Sequence, residues 1–325
     1  MPLAQARPAP PPRRRRRPTA ALLALAGVLA CAAPGAAPQE RAAASQPRDP
    51  GELVFWEVEG AAGRAWLLGS VHVGLEEFTY DPAILRAFDS ADALVQELPP
   101  EDLQLERVLQ MMLDRALLPE GRTLRDVLSP ELYAILEERY RDREVEWLGL
   151  QRMEPWVLIL VLSTEPFLEQ GMTSEQGVDV HFQRLAQQED MPILALETAE
   201  SQIALFDEMP IEVQEQALAD LLGGDTDDTL TNDAWDLLDA WSAGDLVALE
   251  ALIFSELGRD ATSDAFYDAL LFRRNDAMTE TLAKLLAQGG EYFVTVGAAH
   301  TLGERGIPSL LEAQGFRVRR VPRTR

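Results

Sequence analysis

The sequence predicts an α/β fold in which helices cover a central sheet of mostly parallel strands. Short apolar runs alternate with long helical patterns from residue 51 onward, and such alternation is typical of parallel sheets. No segment repeats with a period of about 20 to 50 residues, which argues against a solenoid. The helical patterns between 101 and 188 are too long for one crossover, so we expect a helical insertion or cap.

The first two strands are predicted to form a hairpin. Apolar runs at 53–58 and 65–68 flank Gly60-Ala-Ala-Gly63, and glycines between two such runs indicate a tight turn. The remaining strand candidates are short apolar runs at 93–95, 192–196, 292–296 and 316–321.

Capping residues mark the helix starts. Asp81 followed by Pro82 predicts a helix to about residue 90, because Asp is a good N-cap and Pro is favoured at the first helical position. Ser129-Pro130 marks a later start in the same way. Further helical patterns cover about 101–117, 130–142, 154–168, 175–188, 199–222, 231–254, 263–288 and 307–314. Gly244-Asp245 is predicted to break the pattern at 231–254.

Residues 1–31 have the organisation of a secretory signal peptide. Five consecutive arginines, Arg13 to Arg17, precede an apolar run at 20–30, and small residues and proline follow it. A run of about eleven residues is too short to cross a bilayer core of roughly 30 Å as a helix. We therefore expect cleavage of this leader and export to the periplasm or cell envelope.

Cys31, the only cysteine, ends this apolar run and has two interpretations. The small residues around it fit ordinary signal-peptidase cleavage. Val28-Leu-Ala-Cys31 equally resembles a lipobox, in which the cysteine becomes the lipid-modified first residue and the expected membrane attachment. The Ala-, Pro- and Gln-rich segment 32–50 is predicted to be a flexible linker, which leaves 51–325 as the folded domain.

The expected mature chain is strongly acidic. All 54 Asp and Glu residues, but only 23 of the 29 Lys and Arg residues, follow Cys31, which gives a net charge near −31. Such a surface repels nucleic acids, so neither DNA nor RNA is an expected partner. The chain has three histidines, and the position of each is therefore informative.

Four predicted strands each end close to one His or Glu. In chain order, these residues are His72, Glu97, Glu197 and His300. Ligands bind at the carboxyl edge of parallel sheets, so we expect the four side chains to converge. Two imidazoles and two carboxylates match the ligands of a divalent-metal hydrolase. His72, Glu97 and His300 are the predicted metal ligands, and Glu197 is predicted to be a further ligand or the general base.

Two of the histidines occupy the same motif, Gly-x-x-His. It occurs as Gly69-Ser-Val-His72 and as Gly297-Ala-Ala-His300. A glycine at a strand end permits a sharp turn without a Cβ clash, which holds the histidine over the sheet edge. One such motif is a weak signal, but two copies after apolar strands favour a functional site over packed core histidines.

Arg274, Asn275 and Ser70 are predicted to bind substrate. Ser70 lies inside the first Gly-x-x-His motif, and Arg274 lies in an Arg-Arg-Asn triplet within a helical pattern. An arginine can clamp a carboxylate or stabilise an oxyanion, although a solvated basic helix face is the alternative. His181 lies in a helical pattern and is expected to be structural, whereas Asp179 is a candidate anchoring carboxylate.

These residues resemble the motifs of the TraB/GumN family, which includes the Tiki proteins and is related to the erythromycin esterase and ChaN-like groups. Between residues 52 and 321 the likeness rests, in order, on Gly69-Ser-Val-His72-Val-Gly74, Ala93-Leu-Val-Gln-Glu97, Gly177-Val-Asp179, Leu196-Glu197-Thr198, Arg274-Asn275 and Gly297-Ala-Ala-His300. The resemblance implies an α/β fold that brings the two Gly-x-x-His motifs together. In Tiki-like members it implies a metal-dependent peptidase.

Three functions are open at this point. The first is a Tiki-like peptidase that uses a divalent ion such as Mn, Co or Zn to activate water. The second, implied by the resemblance to erythromycin esterase, is metal-free hydrolysis of a peptide or of a small-molecule ester or amide, with a histidine as the base. The third is a non-catalytic envelope protein that binds and sequesters peptides. The sequence does not predict the oligomeric state.

Overall fold

A computed structural model describes residues 51–74, 78–103, 107, 110–111, 114–222 and 227–324, with the backbone alone for 103 and 227–233. The predicted leader, Cys31 and the linker 32–50 lie outside the described residues. Within these ranges no helix combines the length and apolar character that crossing a membrane requires.

The strands of the described chain form one sheet, in which most strands are parallel. They are β1 (Glu52–Glu59), β2 (Gly63–Ser70), β3 (Ala93–Gln96), β4 (Ile193–Ala195), β5 (Gly290–Gly297) and β6 (Arg317–Pro322). Their order across the sheet is β4-β3-β5-β2-β1-β6. β4, β3, β5 and β2 run parallel, whereas β1 is antiparallel to β2 and β6. The predicted mostly parallel sheet is confirmed, and its antiparallel strand is one arm of the predicted hairpin.

Helices cover the sheet, as the sequence predicts. In the described ranges the α-helices are α1 (Pro82–Asp89), α2 (Leu124–Val127), α3 (Pro130–Arg139), α4 (Glu144–Leu150), α5 (Pro155–Glu169), α6 (Val178–Gln188), α7 (Ala199–Asp207), α8 (Ile211–Leu222), α9 (Asp227–Ala243), α10 (Leu246–Ile253), α11 (Ala261–Tyr267), α12 (Arg273–Gln288) and α13 (Ile307–Ala313).

Aromatic packing fixes α1 and α6 on one face of the sheet. The ring of Phe293 in β5 lies 5.4 Å from that of Phe88 in α1 and 4.7 Å from that of Phe182 in α6, between centroids. All three side chains are buried, and each stabilises the fold by roughly 1.5–3 kcal/mol. α12 covers the opposite face, where a Cβ at Gly63 would lie 2.8 Å from the carbonyl oxygen of Leu286.

Two helical insertions separate the parallel strands. α2 to α6 lie between β3 and β4, which confirms the insertion predicted from the block 101–188, and α7 to α12 lie between β4 and β5. In the first insertion α6 packs on β3, whereas α5 packs on α8 and α9 of the second. The insertions therefore pack on each other as well as on the sheet.

Some helix boundaries differ from the sequence prediction. The break predicted at Gly244-Asp245 is confirmed, because Gly244, with a φ of +68°, ends α9 and divides the pattern at 231–254 into two helices. The pattern at 263–288 contains a π turn, Asp268–Phe272, which apolar periodicity does not reveal. α4 is not predicted by the sequence because it has only seven residues, none of them fully buried, and two partly buried residues, Trp147 and Leu150, are too few to show an apolar period.

Candidate active site

The carboxyl ends of four neighbouring parallel strands meet at one edge of the sheet. Glu97 follows β3 directly, Glu197 follows β4 closely, and His72 and His300 follow β2 and β5. The strand ends are also bonded to each other, since the backbone N–H of Glu197 donates to the carbonyl oxygen of Glu97 at 3.0 Å. The topology thus brings the two Gly-x-x-His motifs and the two glutamates to one edge.

A buried guanidinium links the two carboxylates. Arg274 donates from Nη2 to Oε2 of Glu97 at 2.6 Å and from Nε to both oxygens of Glu197 at 3.2 Å. The side chains of Arg274, Glu97 and Glu197 are only 9, 12 and 9 % exposed. Gln202 in α7 donates from Nε2 to Glu197 at 2.7 Å and to Glu97 at 3.3 Å. One cation and one amide therefore compensate two buried anions.

Arg274, which binds both glutamates, lies at the start of α12, just after the π turn Asp268–Phe272. Single π turns often occur at functional sites, because the extra residue redirects the side chains that follow. The Leu270 carbonyl oxygen within the turn accepts a hydrogen bond from Nη1 of Arg274 at 3.1 Å. The guanidinium is thus engaged on three sides by protein groups. Its predicted contact with substrate would require the displacement of Glu97 or Glu197.

Glu97 is ionised in this environment. Burial opposes the charge, but His300, which is protonated in the acid range where Glu97 titrates, and the cations Arg274 and His72 outweigh it and hold the pKa of Glu97 at about 2. The backbone N–H of Gly297, the glycine of the second motif, donates to Oε1 of Glu97 at 2.6 Å and adds to the lowering. The strand end therefore binds the carboxylate as an anion.

His300 is neutral near physiological pH. Its side chain is 1 % exposed, and burial, together with the cation Arg274, lowers its pKa to about 3 against the opposing charge of Glu97. Its Nδ1 lies 2.6 Å from Oδ1 of Asn275. Its Nε2 lies 3.8 Å from Oε1 of Glu97. A neutral imidazole with one unoccupied nitrogen can act as a base or a metal ligand.

His72 has the opposite charge state. Burial lowers its pKa, but Asp179, whose Oδ1 lies 3.4 Å from Nδ1, and the more distant Glu97 raise the pKa to about 9. The His72 side chain is 15 % exposed. The two histidines of the paired motifs therefore differ in protonation, and a site with one charged and one neutral imidazole has both an acid and a base.

The loop of His72 and the start of α6 are closely docked, which places Asp179. The backbone N–H of Val178 donates to the carbonyl oxygen of Val71 at 2.9 Å. A Cβ at Gly177 would lie 2.5 Å from the carbonyl oxygen of His72, so only glycine fits between the two segments. Asp179 thus meets His72 as the anchoring carboxylate that the sequence suggests.

Several buried polar atoms around this edge have no hydrogen-bond partner in the described structure. They are Ser70 Oγ, Gln96 Oε1 and His300 Nε2. His72 Nδ1 and Asp179 Oδ1 make no regular hydrogen bond either, but they face each other at 3.4 Å as an ion pair. A buried polar atom without a partner costs about 1–3 kcal/mol and is rare in native proteins. The unpartnered Nε2 of His300, which lies 3.8 Å from Oε1 of Glu97, is a position at which a ligand could be bound.

The donor chemistry of the edge fits a divalent metal, but the ligands are not preassembled. His300 Nε2 and Glu97 Oε1 are 3.8 Å apart, close to the spacing of two ligands with bonds of about 2.0–2.2 Å to one ion. Among the residues that the structure describes, no three His, Cys, Asp or Glu side chains form a group that could hold a metal. Arg274 engages Oε2 of Glu97 and both oxygens of Glu197, so a third ligand requires a side-chain rearrangement.

The structure places the remaining predicted residues as follows. Ser70 is buried at the end of β2, beside Gly297 of β5. Asn275 is buried, and both ends of its amide are bonded to protein groups, which leaves neither end for the predicted contact with substrate. His181 stacks against Tyr80 at 4.6 Å between ring centroids, in keeping with a structural role.

Gln202 is the site residue that the sequence analysis does not identify. It occupies a buried position of α7 beside Ala199 and Ile203, where an apolar residue would be expected. The sequence signal that could have identified Gln202 is a polar residue on the buried face of a helix. That helix follows Glu197, a candidate catalytic residue.

Comparison with known proteins gives the relatives of this chain. The uncharacterized protein YbaP of Escherichia coli (strain K12) is 27 % identical over 255 residues, which cover 75 % of this chain and 86 % of the relative. An uncharacterized protein of Treponema pallidum (strain Nichols) is 26 % identical over 269 residues, 79 % of each chain. A protein of Amphimedon queenslandica named metalloprotease TIKI homolog is 23 % identical over 319 residues, 82 % of this chain and 61 % of that protein. No solved structure matches the chain.

The chain also matches a family profile. The profile of the TraB/PrgY/gumN family matches residues 54–320, from β1 to β6. The match therefore includes both Gly-x-x-His motifs and the residues His72, Glu97, Glu197, Arg274 and His300. By this match the chain belongs to the TraB/PrgY/gumN family.

Proposed function

We propose that the protein is a hydrolase whose active site is the sheet edge formed by His72, Glu97, Glu197, Arg274 and His300. The observation that carries the proposal is the placement of two differently protonated imidazoles, His300 buried and His72 partly exposed, beside the buried Arg274, Glu97 and Glu197. Burying ions costs several kcal/mol each, so such a network is a poor way to stabilise a sheet. Acid–base catalysis of hydrolysis uses a positioned acid and a positioned base, which two imidazoles of different protonation can supply.

Within this proposal, the hydrolase is a divalent-metal-dependent peptidase. His300 Nε2, Glu97 and His72 are the proposed ligands of Mn, Co or Zn, and the bound ion would supply an activated water. His300 is already neutral, which is the state that a metal ligand needs, whereas His72 would release its proton on binding the ion. Glu197, held by Arg274, is the proposed second carboxylate or general base. The relative named a metalloprotease supports peptide bonds as the substrate.

Metal-free hydrolysis is the second candidate, because Arg274 already engages both carboxylates and the described residues contain no preassembled metal group. In that case the unoccupied Nε2 of His300 would take a proton from water. The His72 imidazolium would then stabilise the developing oxyanion or protonate the leaving group.

Elemental analysis of the purified protein, followed by cleavage of a peptide library with and without chelator, tests both candidates. His72→Ala and His300→Ala should abolish turnover and lower the metal content. The matched control is His181→Ala, which should keep the activity. Turnover that survives complete metal removal selects the metal-free mechanism. Full activity of both site variants contradicts the proposal, and peptide binding without turnover in the wild type selects the non-catalytic alternative.

We also propose that the protein is exported and cleaved at or beside Cys31. The supporting observation is the basic, apolar and small-residue order of the leader. Intact-mass measurement of the protein from its native membrane fraction should give a chain that begins at or shortly after Cys31. A diacylglyceryl mass on that cysteine selects lipid attachment, whereas a full-length cytoplasmic chain contradicts export.

A further inference from the structure

A buried amide holds the imidazole of His300. Asn275 is 1 % exposed, its Oδ1 lies 2.6 Å from His300 Nδ1, and its Nδ2 donates to the carbonyl oxygen of Arg305 at 2.7 Å. Both ends of the amide are thus committed to the protein. Asn275 acts on the site through His300 and not through direct contact with a substrate.

The Arg305 carbonyl decides which end of the amide faces the histidine. A carbonyl oxygen only accepts hydrogen bonds, so the NH2 end of Asn275 lies toward Arg305 and the oxygen toward His300. The amide oxygen also only accepts, so Nδ1 of His300 must carry a hydrogen. A neutral imidazole has one N–H, which leaves the lone pair on Nε2.

We propose that Asn275 is a positioning residue that holds His300 in the Nδ1–H tautomer and keeps the Nε2 lone pair free on the side of Glu97. This inference rests on the proposed function, because a lone pair at Nε2 is what a metal ligand or a general base uses.

Without Asn275, the surroundings of His300 favour the other tautomer. Oε1 of Glu97 is an anionic acceptor 3.8 Å from Nε2, and a hydrogen on Nε2 would be attracted to it. Such a hydrogen bond would occupy the nitrogen that the reaction needs. The short hydrogen bond at Nδ1 opposes this attraction, since the two tautomers exclude each other.

The anchor of Asn275 is itself fixed to the helix that carries Asn275. Arg305 donates from Nη1 to Asp268 at 3.0 Å and from Nη2 to Asp276 at 3.2 Å, and its guanidinium lies 4.4 Å from the ring centroid of Phe272. These partners flank the start of α12. The Arg305 carbonyl therefore keeps a constant position relative to the amide.

The test reads the tautomer directly, by long-range 15N–1H correlation NMR of the histidine rings in protein treated with chelator. The chain has three histidines, and the His300→Gln variant identifies the signals of His300. In the wild type, Nδ1 should be the protonated nitrogen. Asn275→Leu should move the hydrogen to Nε2, whereas Asn275→Asp, which keeps the acceptor, should retain it on Nδ1.

Thr279→Val is the matched control, because Thr279 is as buried as Asn275 and lies one turn further along α12. It should leave the tautomer and any activity unchanged. Hydrolysis by Asn275→Leu should fall about 10- to 100-fold, as is usual when a residue that orients a site histidine is lost.

A wild-type His300 protonated at Nε2, or an Asn275→Leu variant that keeps the hydrogen on Nδ1, overturns the inference. If Asn275→Leu fails to fold, the wild type and Asn275→Asp decide, because both must show Nδ1–H. The tautomer needs no substrate. A wild type with the expected tautomer but without turnover or bound metal therefore contradicts the proposed function alone.

Discussion

Replacing Arg274 by leucine leaves Glu97 and Glu197 together without the guanidinium that bridges them. All three side chains are 12 % exposed or less, so water screens the two carboxylates poorly. Removing one partner of a buried ion network costs about 3–5 kcal/mol. Arg273→Leu is the control, because its side chain is 64 % exposed and pairs with Asp268, an interaction worth about 0–1 kcal/mol.

Urea unfolding measures the difference between these variants. With an m-value of about 3 kcal/mol/M, the unfolding midpoint of Arg274→Leu should fall by about 1 M or more, whereas that of Arg273→Leu should fall by roughly 0.3 M or less. A chain of this size can unfold through intermediates, so two spectroscopic probes should be compared.

The pH dependence separates electrostatic repulsion from lost packing. In Arg274→Leu the two carboxylates repel, which raises the pKa of the pair above the value in the unfolded chain. A raised carboxyl pKa destabilises the fold at pH above it, and the loss is recovered as the pH falls and one group is protonated. The difference in the free energy of unfolding between Arg274→Leu and Arg273→Leu should thus shrink as the pH falls from 7 to 5. Equal midpoints for the two variants, or a deficit that does not change with pH, would refute the reasoning.

The other predictions concern the partners of the two histidines and their loops. Asp179→Asn should lower the pKa of His72 from about 9 toward its ordinary value, because the Asp179 carboxylate offsets burial; an NMR titration that shows no change contradicts this pairing. In metal-free protein the stability from the His72–Asp179 pair is present below about pH 6.5 and lost as the pH rises toward 9. The urea midpoint of Asp179→Asn should therefore not show this decrease with rising pH. His300 has the opposite sign: its pKa of about 3 means that stability is present above about pH 6.5 and lost as the pH falls toward 3. Acid sensitivity that is as steep in His300→Gln as in the wild type contradicts a neutral buried His300. Gly177→Ala should destabilise the fold by about 1–3 kcal/mol, because its Cβ would lie 2.5 Å from the His72 carbonyl oxygen. Gly149→Ala is its control, with open space around the new Cβ, and equal urea midpoints for the two variants would show that the α6 contact is loose.

The positions of the strand ends could be predicted because they follow from local pattern and one topological rule. Each of the four strands is a short apolar run, and parallel strands place their carboxyl ends at one edge. His72 and His300 could therefore be paired across more than 200 residues of sequence. The register of β2 and β5, with Ser70 opposite Gly297, places the two motifs on adjacent strands.

The partner of Arg274 could not be predicted in this way. The arginine lies 77 residues from Glu197 and 177 from Glu97 in the sequence, and no local pattern encodes an ion pair over such separations. The sequence predicts that the guanidinium contacts a substrate, whereas in the structure it neutralises the carboxylates of the site itself. The π turn that precedes Arg274 is equally invisible in the sequence, since its residues have ordinary helical propensity.

The two Gly-x-x-His motifs give their histidines similar positions but different chemistry. The glycine and the strand end determine where each imidazole lies, yet the first meets Asp179 of α6 and the second meets Asn275 of α12. A carboxylate favours an imidazolium, and an amide oxygen anchored at its other end favours one neutral tautomer. The protonation of the site is therefore set by the two helices and not by the motif. It follows that exchanging Asp179 and Asn275 for each other's side chain should exchange the preferred states of the two histidines.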